Sequence, residues 1–393
     1  MEDAPGTPEG SRPSICLVAA EPSGDLHGAA LCSAMQEACP AVRLFGVGGP
    51  RMAALGVNLL YRSDDWAAVG FSQALAKTPR ILPAYWRLKA HLRQRPPHLL
   101  VLIDFGAFNT RLGRAAKRAG IKVLYYFPPR SWDRNATNAA SLREVCDRAV
   151  TPFPWSAERL REAGLAADFF GHPLLDLIPP GNVTQAKKTL GLPAEARVIG
   201  LFPGSRLHEV QTNARVLLHA ARLMRAQFPD LCAVLSAAPG PAGRRVRALA
   251  SEAGGEVKVT EDTYAALRAS DVALLCSGSI TLEAAVLRTP MVVFYRGTPG
   301  MWLQYALFYR NRLGFIAMPN LLAERAIVPE LLAERANPAA LAEAAAKLLR
   351  DAEQRDRMVA ELGEVARLLE PAGAVAKTAT LALQMAQGEC RSD

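Results

Sequence analysis

The sequence predicts an α/β protein of two doubly wound domains, each a parallel sheet covered by helices, facing a central cleft. Three observations predict it. Short apolar runs alternate with stretches whose apolar residues recur at helical spacing. The runs are continuously apolar rather than alternating, as strands buried on both faces must be. The rhythm then starts afresh after one Pro-Pro-Gly interruption, in "PLLDLIPPGNVTQAKK" (173–188).

The strands expected in the first half are "SICLVAA" (14–20), "VRLFGVGG" (42–49), "LLVLID" (99–104), "KVLYYF" (122–127), "AVTPFP" (149–154) and "ADFFGHP" (167–173). Helical patterns lie between most of them, as with Ala30, Leu31, Ala34, Met35 and Ala38. The second half opens with "RVIGLFPGSR" (197–206), a strand running into a turn, and a helix over 209–228. "CAVLSAA" (232–238), "VKVT" (257–260), "VALLCSG" (272–278) and "MVVFYR" (291–296) follow, and the chain is helical from about 338. The expected division is a disordered tail over 1–13, a first domain over 14–176 and a second over 177–370. A C-terminal helix within 371–393 packs back on the first domain.

With 393 residues, half of them hydrophobic, the chain can fill two cores. Its net charge of +9 favours acidic partners such as phosphates, anionic lipid or nucleic acid, without choosing among them. The seven cysteines form no Cys-x-x-Cys pair and read as reduced thiols, which argues against a disulfide framework and structural zinc. No signal peptide or membrane-spanning run is expected. Nucleic acid is set aside because no recognition module is present.

Ligands of doubly wound sheets bind outside the carboxyl ends of the strands, so the turns after strands carry the chemistry. In "FPGSRLHE" (202–209), Gly204 lets backbone approach a ligand closely. Ser205 and the free amides of the helix start can hold an anion, and Arg206 adds a bidentate charge; an ordinary cap is the plainer reading. In "CSGSITLE" (276–283), Ser277, Gly278 and Ser279 offer hydroxyls and amides, and Glu283 can hold the hydroxyls of a ribose. Neither turn is a dinucleotide fingerprint or a Walker loop, so a mononucleotide diphosphate fits better.

Asp104 ends the most apolar strand of the first half and is a candidate general base or else a helix cap. Asn109 is a second candidate for that cap. His172, just after a strand, either binds backbone at the interdomain joint or touches substrate. The segment 70–98 mixes aromatic and aliphatic residues with Lys77, Arg80, Arg87, Lys89 and Arg93 and contains no acid. Together with Trp86 these form a surface suited to anionic lipid, with a core helix bearing a solvated basic face as the alternative.

Seven blocks occur in a fixed order: "AAEPSGDLHGA", "FGVGGPRMAALG", "LIDFGAFN", "FFGHPLLD", "LFPGSRLHEV", "LLCSGSITLEAAVLRTPMVVFYR" and "MPNLLAERAIVPELL". In that order they resemble the lipid-A-disaccharide synthases, inverting glycosyltransferases of GT-B architecture, with two Rossmann-like domains. The resemblance runs from about residue 14 to about residue 385. It implies transfer of 2,3-diacylglucosamine from UDP-2,3-diacylglucosamine to 2,3-diacylglucosamine 1-phosphate, giving a β-1,6 disaccharide phosphate and UDP in lipid A biosynthesis. It implies a base at Asp104, and Arg206 and helix-end amides at the phosphates. Ser277, Gly278, Ser279, Glu283 and Asn320 take the donor side, and Glu21, Ser23, Gly24 and Asp25 the acceptor side, Asp25 alternatively being a helix-start cap. No metal or other cofactor is implied, and the expected place is the inner face of the cytoplasmic membrane, bound peripherally.

The chain departs from the family pattern in four places. Ala20 stands where the family has Gly, "YYFPPRSWDRNATN" (125–138) replaces a Trp-containing run, Glu324 replaces a Gly, and Ala333 replaces a Gln. A GT-B transferase with another acceptor, a UDP-N-acetylglucosamine 2-epimerase and a non-catalytic sugar-nucleotide binder are the alternatives. Acyl-chain length and oligomeric state are left open.

Overall fold

The computed structural model describes residues 12–63, 74–129, 140–254, 257–296 and 314–388, with backbone alone over 74–81. The expected tail up to residue 11, the divergent stretch 130–138 and residues 389–393 lie outside these. Contacts divide the chain into two units, Met1–Leu177 with Leu369–Asp393, and Ile178–Leu368.

In the first unit the elements run β1 (Ser14–Ala19), α1 (Pro22–Ala38), β2 (Arg43–Gly48), α2 (Pro50–Ala54), β3 (Asn58–Arg62), α3 (Ala74–Gln94), β4 (Leu99–Ile103) and α4 (Gly106–Arg118). They continue as β5 (Lys122–Tyr126), β6 (Arg148–Val150), α5 (Pro154–Glu162), β7 (Ala166–Asp168) and α6 (Leu174–Leu177). The seven strands pair in parallel in the order β3-β2-β1-β4-β5-β6-β7. Side chains alternate across this sheet, so two apolar faces form from one set of continuous runs. Cys16, Val18, Leu100 and Leu102 face Leu88 and Leu92 of α3 and Leu112 of α4. Ile15, Leu17, Leu99 and Val101 face Leu31 and Met35 of α1 and, on the same side, Leu381 and Leu383 near the end of the chain. Each such fully buried side chain contributes ~1.5–3 kcal/mol of transfer free energy.

The second unit holds α7 (Val183–Thr189), β8 (Arg197–Phe202), α8 (Leu207–Gln227), β9 (Leu231–Ser236), α9 (Pro241–Glu252), β10 (Lys258–Thr260) and α10 (Thr263–Ala269). It goes on through β11 (Val272–Cys276), α11 (Ile280–Val286), β12 (Met291–Tyr295), α12 (Met318–Ala323), β13 (Glu330–Leu332), α13 (Pro338–Arg350) and α14 (Ala352–Arg367). Its parallel order is β10-β9-β8-β11-β12-β13. The last helix, α15 (Ala374–Gln387), belongs to the first unit.

Several strands are shorter than their apolar runs. β6 stops at Val150, because Pro152 and Pro154 have no N–H for a ladder and Pro154 opens α5 instead. β7 covers only Ala166–Asp168, and the following Phe-Phe-Gly-His-Pro segment leaves the sheet. Gly171 turns there with φ of 100°, directly against the Pro371 backbone. The short strands β3 and β13 escaped the sequence reading. Both lie at a sheet edge, where residues are half-buried and the apolar signal is diluted.

The junction of α6 and α15 is held by one carboxylate. Asp176 accepts the N–H groups of Gly373 (2.6 Å) and Val375 (2.8 Å), which the first turn of a helix otherwise leaves unpaired. His172 N–H adds a bond to Leu369 O at 2.7 Å. Asp176→Ala should lower stability by about 1–2 kcal/mol, read as a smaller urea midpoint with unchanged m value.

Candidate active site

Strand order reverses once in each parallel sheet. In the first unit the reversal lies between β1 and β4, and in the second between β8 and β11. Crevices open at such switch points, outside the strand carboxyl ends. The four turns leaving these strands contain Glu21, Asp104, Gly204–Arg206 and Ser277–Ser279, with Glu283 one turn further on.

The register of β1 on β4 pairs Ala19 with Ile103, which sets Glu21 and Asp104 on neighbouring strand ends. Asp104 and Phe105 both adopt left-handed backbone, with φ of 48° and 50°, and Phe105, not Asp104 or Asn109, is the N-cap of α4. Such residues are strained and persist only when the surroundings hold them. Here the Asp104 carbonyl accepts Asn109 Nδ2 (2.7 Å) and the Tyr125 hydroxyl (3.0 Å), while its N–H reaches Tyr126 O (3.0 Å). The Asp104 side chain stays exposed, yet protein surrounds it on most sides. Desolvation, then the negative charge of Glu21, raise its pKa above the ordinary carboxylate value, offset in part by the Phe105 N–H.

Two acceptor-side assignments are corrected by hydrogen bonding. Asn109 is 0 % exposed, and its amide is committed to the Ile103 and Asp104 carbonyls. Its Nδ2 braces the Asp104 turn, and its Oδ1 is buried without a partner among the described residues. Asp25 is 2 % exposed, and its carboxylate accepts Gly49 N–H (2.7 Å), Arg51 N–H (3.0 Å) and Met52 N–H (3.2 Å). It therefore ties α1 to the start of α2 instead of facing a substrate or capping its own helix. Gly49 has to be glycine for this, since a Cβ there would lie 2.7 Å from the carboxylate. Gly24 has no such need, because a Cβ would make only ordinary contact with Ala19.

Ser23 lies exposed in the first turn of α1, and Glu21 is its half-buried N-cap, with no capping bond from the side chain. His172 proves to be a backbone brace: its Nδ1 accepts Leu174 N–H at 3.1 Å, and Phe127 and Phe153 flank its ring. Burial and the nearby His27 lower its pKa to about 3, so the ring is neutral at physiological pH. His27 was assigned no role from the sequence. It packs edge-on to Phe127, burial lowers its pKa to about 4, and among the described residues its buried Nδ1 has no partner.

In the second unit Gly204 has φ of 107°, a backbone conformation open to glycine, where the sequence reading had looked only for close approach to a ligand. The two amides just ahead of the helix are not free, however. Glu209 Oε2 accepts Ser205 N–H (3.1 Å) and Arg206 N–H (3.2 Å), and Arg206 donates to Oε1 at 3.1 Å. An internal carboxylate thus already sits on those two N–H groups, and the first-turn amides of Leu207, His208 and Glu209 are not among its partners. The signal was legible, because Glu209 stands three residues after the N-cap Arg206, the spacing of a capping box.

Ser277 is half-buried and donates its hydroxyl to Ile316 O at 3.0 Å, while Gly278 and Ser279 are exposed. Glu283 pairs with the Tyr264 hydroxyl, and burial pushes its carboxyl up to about 7 against the effect of that bond. Asn320 is corrected from donor contact to strut. It is 0 % exposed; its Nδ2 binds Val328 O and Glu330 Oε1, and its Oδ1 accepts the Ile327 and Val328 N–H groups. Glu330 also accepts the Ile316 and Ala317 N–H groups, so the pair fixes the segment leading into α12.

On α3, Ala84, Leu88 and Leu92 are buried, whereas Leu82 and Trp86 are 44 % and 55 % exposed one turn apart. Lys89 Nζ lies 5.0 Å over the Trp86 ring, and Arg87 and Arg93 are exposed. Lys77 and Arg80 belong to the same helix, with side chains outside the description. Among the described residues no cluster of three or more His, Cys, Asp or Glu could hold a metal ion, and no helix is long and apolar enough to cross a membrane.

The family profile described as lipid-A-disaccharide synthetase matches residues 15–383. The chain is 36 % identical over 317 residues to the lipid-A-disaccharide synthase of Geobacter sulfurreducens, covering 80 % of this chain and 82 % of that one. It is 37 % identical over 287 residues to that of Trichlorobacter lovleyi, covering 72 % and 75 %. Among solved structures it is similar to the UDP-GlcNAc 2-epimerase from Neisseria meningitidis bound to UDP-GlcNAc, with TM-score 0.58, 14 % identity and coverage of 94 % and 98 %. It is also similar to the calicheamicin glycosyltransferase CalG4, with TM-score 0.60, 16 % identity and coverage of 96 % and 99 %. These two likenesses are of fold.

The raised Glu283 pKa has a measurable consequence. A carboxyl that holds its proton more tightly when folded loses stability for the protein as pH rises from the unfolded value near 4.5 through about 7. Glu283→Gln should match the parent in urea unfolding near pH 4.5 and exceed it by ~1–2 kcal/mol at pH 8.

Proposed function

This chain belongs to the lipid-A-disaccharide synthetase family, and from that premise we propose how its residues divide the reaction. It is a glycosyltransferase of GT-B fold that uses a UDP-sugar donor and a lipid-type acceptor. The reaction is transfer of 2,3-diacylglucosamine from UDP-2,3-diacylglucosamine to 2,3-diacylglucosamine 1-phosphate, yielding the β-1,6 disaccharide phosphate and UDP. The 2-epimerases share the fold, but family membership assigns the chain to the transferases.

Asp104 is the general base. It removes the proton of the acceptor 6-hydroxyl as that oxygen attacks the anomeric carbon. The bond from that carbon to the diphosphate oxygen breaks, UDP leaves with the electron pair, and the anomeric configuration inverts. The observation that carries this reading is the exposed Asp104 carboxylate at the switch point of its sheet, on a braced left-handed turn. A raised pKa also makes it a better proton acceptor than an ordinary aspartate. Glu21 and Ser23 line the acceptor side. Glu283 holds the ribose hydroxyls, and the Arg206 guanidinium neutralises the departing diphosphate. Gly204, Ser277, Gly278 and Ser279 shape the donor turns.

Both substrates carry acyl chains, so the enzyme works at a membrane surface, with α3 laid on anionic lipid. Leu82 and Trp86 supply the apolar contact, and Arg87, Lys89 and Arg93 the charge. That partly apolar, basic surface supports a peripheral position on the inner face of the cytoplasmic membrane. The charged stretch Arg130–Arg134 supports a second reading of the acceptor alone, in which a related lipid phosphate is used.

Mass spectrometry after incubation with UDP-diacylglucosamine and a small panel of acylated sugar phosphates should find the disaccharide with the monosaccharide 1-phosphate; UDP released without it moves the acceptor elsewhere. Asp104→Asn should lower turnover by ~10²–10⁴ with UDP affinity unchanged, and retained turnover removes Asp104 from the base role. Reversing Arg87 and Lys89 to Glu should weaken binding to phosphatidylserine vesicles at least tenfold at low salt, since each basic side chain adds about 1 kcal/mol near such a surface. Equal binding in a sedimentation assay rules out the α3 contact.

A further inference from the structure

We infer that Glu209 is the positioning residue of the donor-phosphate site: it occupies the Ser205 and Arg206 N–H groups ahead of α8 and holds the Arg206 guanidinium out for the diphosphate. The inference rests on the reading of Arg206 as the phosphate residue. Glu209 is fixed from three directions. Its Oε2 takes the Ser205 and Arg206 N–H groups at 3.1 and 3.2 Å, and its Oε1 takes Arg206 NH1 at 3.1 Å. Only 15 % of its side chain is exposed, against 59 % for Arg206. The carboxylate is thus the rigid half of the pair and the guanidinium the accessible half.

The glycine beside it fits this role. A Cβ at Gly204 would lie 2.3 Å from Oε2, and the residue has φ of 107°, so the turn admits the carboxylate only with glycine there. Both backbone donors of the turn are then satisfied by the protein itself. A guanidinium has five N–H donors, and this ion pair engages one of its nitrogens, leaving the fork available to a diphosphate. An exposed ion pair adds little to stability, so the value of this one lies in orientation. A guanidinium held in place loses less freedom when the phosphate arrives.

The rival arrangement makes the opposite prediction. If the phosphate displaced the Glu209 carboxylate to reach the amides, neutralising Glu209 would favour the ligand. In Glu209→Gln the side chain keeps its size but presents an uncharged group to Arg206. Titration calorimetry with UDP and with uridine separates the outcomes. Glu209→Gln should weaken UDP binding about tenfold and leave uridine binding and the thermal midpoint unchanged. A merely structural role would weaken both ligands, and displacement would strengthen UDP; either result overturns the inference.

A double-mutant cycle completes the test. Arg206→Ala alone should lose UDP affinity, and adding Glu209→Gln should cost nothing further, because Glu209 acts through Arg206. Additive losses overturn the positioning role. If Arg206→Ala binds UDP as the parent does, the failure belongs to the phosphate reading of Arg206, and the single Glu209→Gln titration still reports whether that carboxylate matters.

Discussion

A parallel sheet has to be covered on both faces, and everything else in this protein follows from that burial. Beyond Ser14 and Arg197 at the starts of β1 and β8, the central strands β1, β4, β8 and β11 are apolar and buried. Polar groups are confined to the strand ends, and the carboxyl ends receive the first turns of the following helices. Where strand order reverses, two such helices diverge and leave the edge open. Glu21, Asp104, Arg206 and Glu283 stand beside those reversals.

The turns at these edges are held by carboxylates turned inward. Asp25 joins α1 to α2, Glu209 closes the start of α8, Glu330 with Asn320 fixes the approach to α12, and Asp176 ties α15 to the first unit. Each accepts N–H groups that a helix start or a loop would otherwise leave unpaired, and an ionised acceptor makes the stronger bond. The strain at Asp104 and Phe105 is held in the same manner, by Asn109 and Tyr125. A side chain engaged this way is rigid and unavailable to a ligand. That separates Asp25 and Asn320, which build the frame, from Asp104 and Arg206, which remain exposed.

The two histidines show the same division. His172 is neutral and bonded to backbone, and His27 is neutral with its buried Nδ1 unpaired, both enclosed by Phe127 and its neighbours. Charge on either ring would be desolvated, so neither suits proton transfer near neutral pH. Asp104 differs because its side chain keeps contact with solvent while burial and Glu21 raise its basicity.

By itself, the sequence determined the class of fold, the alternation of strands and helices, and the four turns that leave the switch-point strands. These are local signals: continuous apolar runs, helical spacing, and glycine with serine at strand ends. The spacing of Arg206 and Glu209 was equally local, yet the sequence reading took that helix start as open and gave Glu209 no role. Only the tertiary structure decided which polar residues at those turns face inward. Asp25 meets amides 24 to 27 residues away, and Asn320 and Glu330 meet across a loop, in sequence contexts that look like ligand turns. Partner choice for a carboxylate or amide depends on which backbone groups packing leaves unpaired nearby, and no window of sequence contains that information.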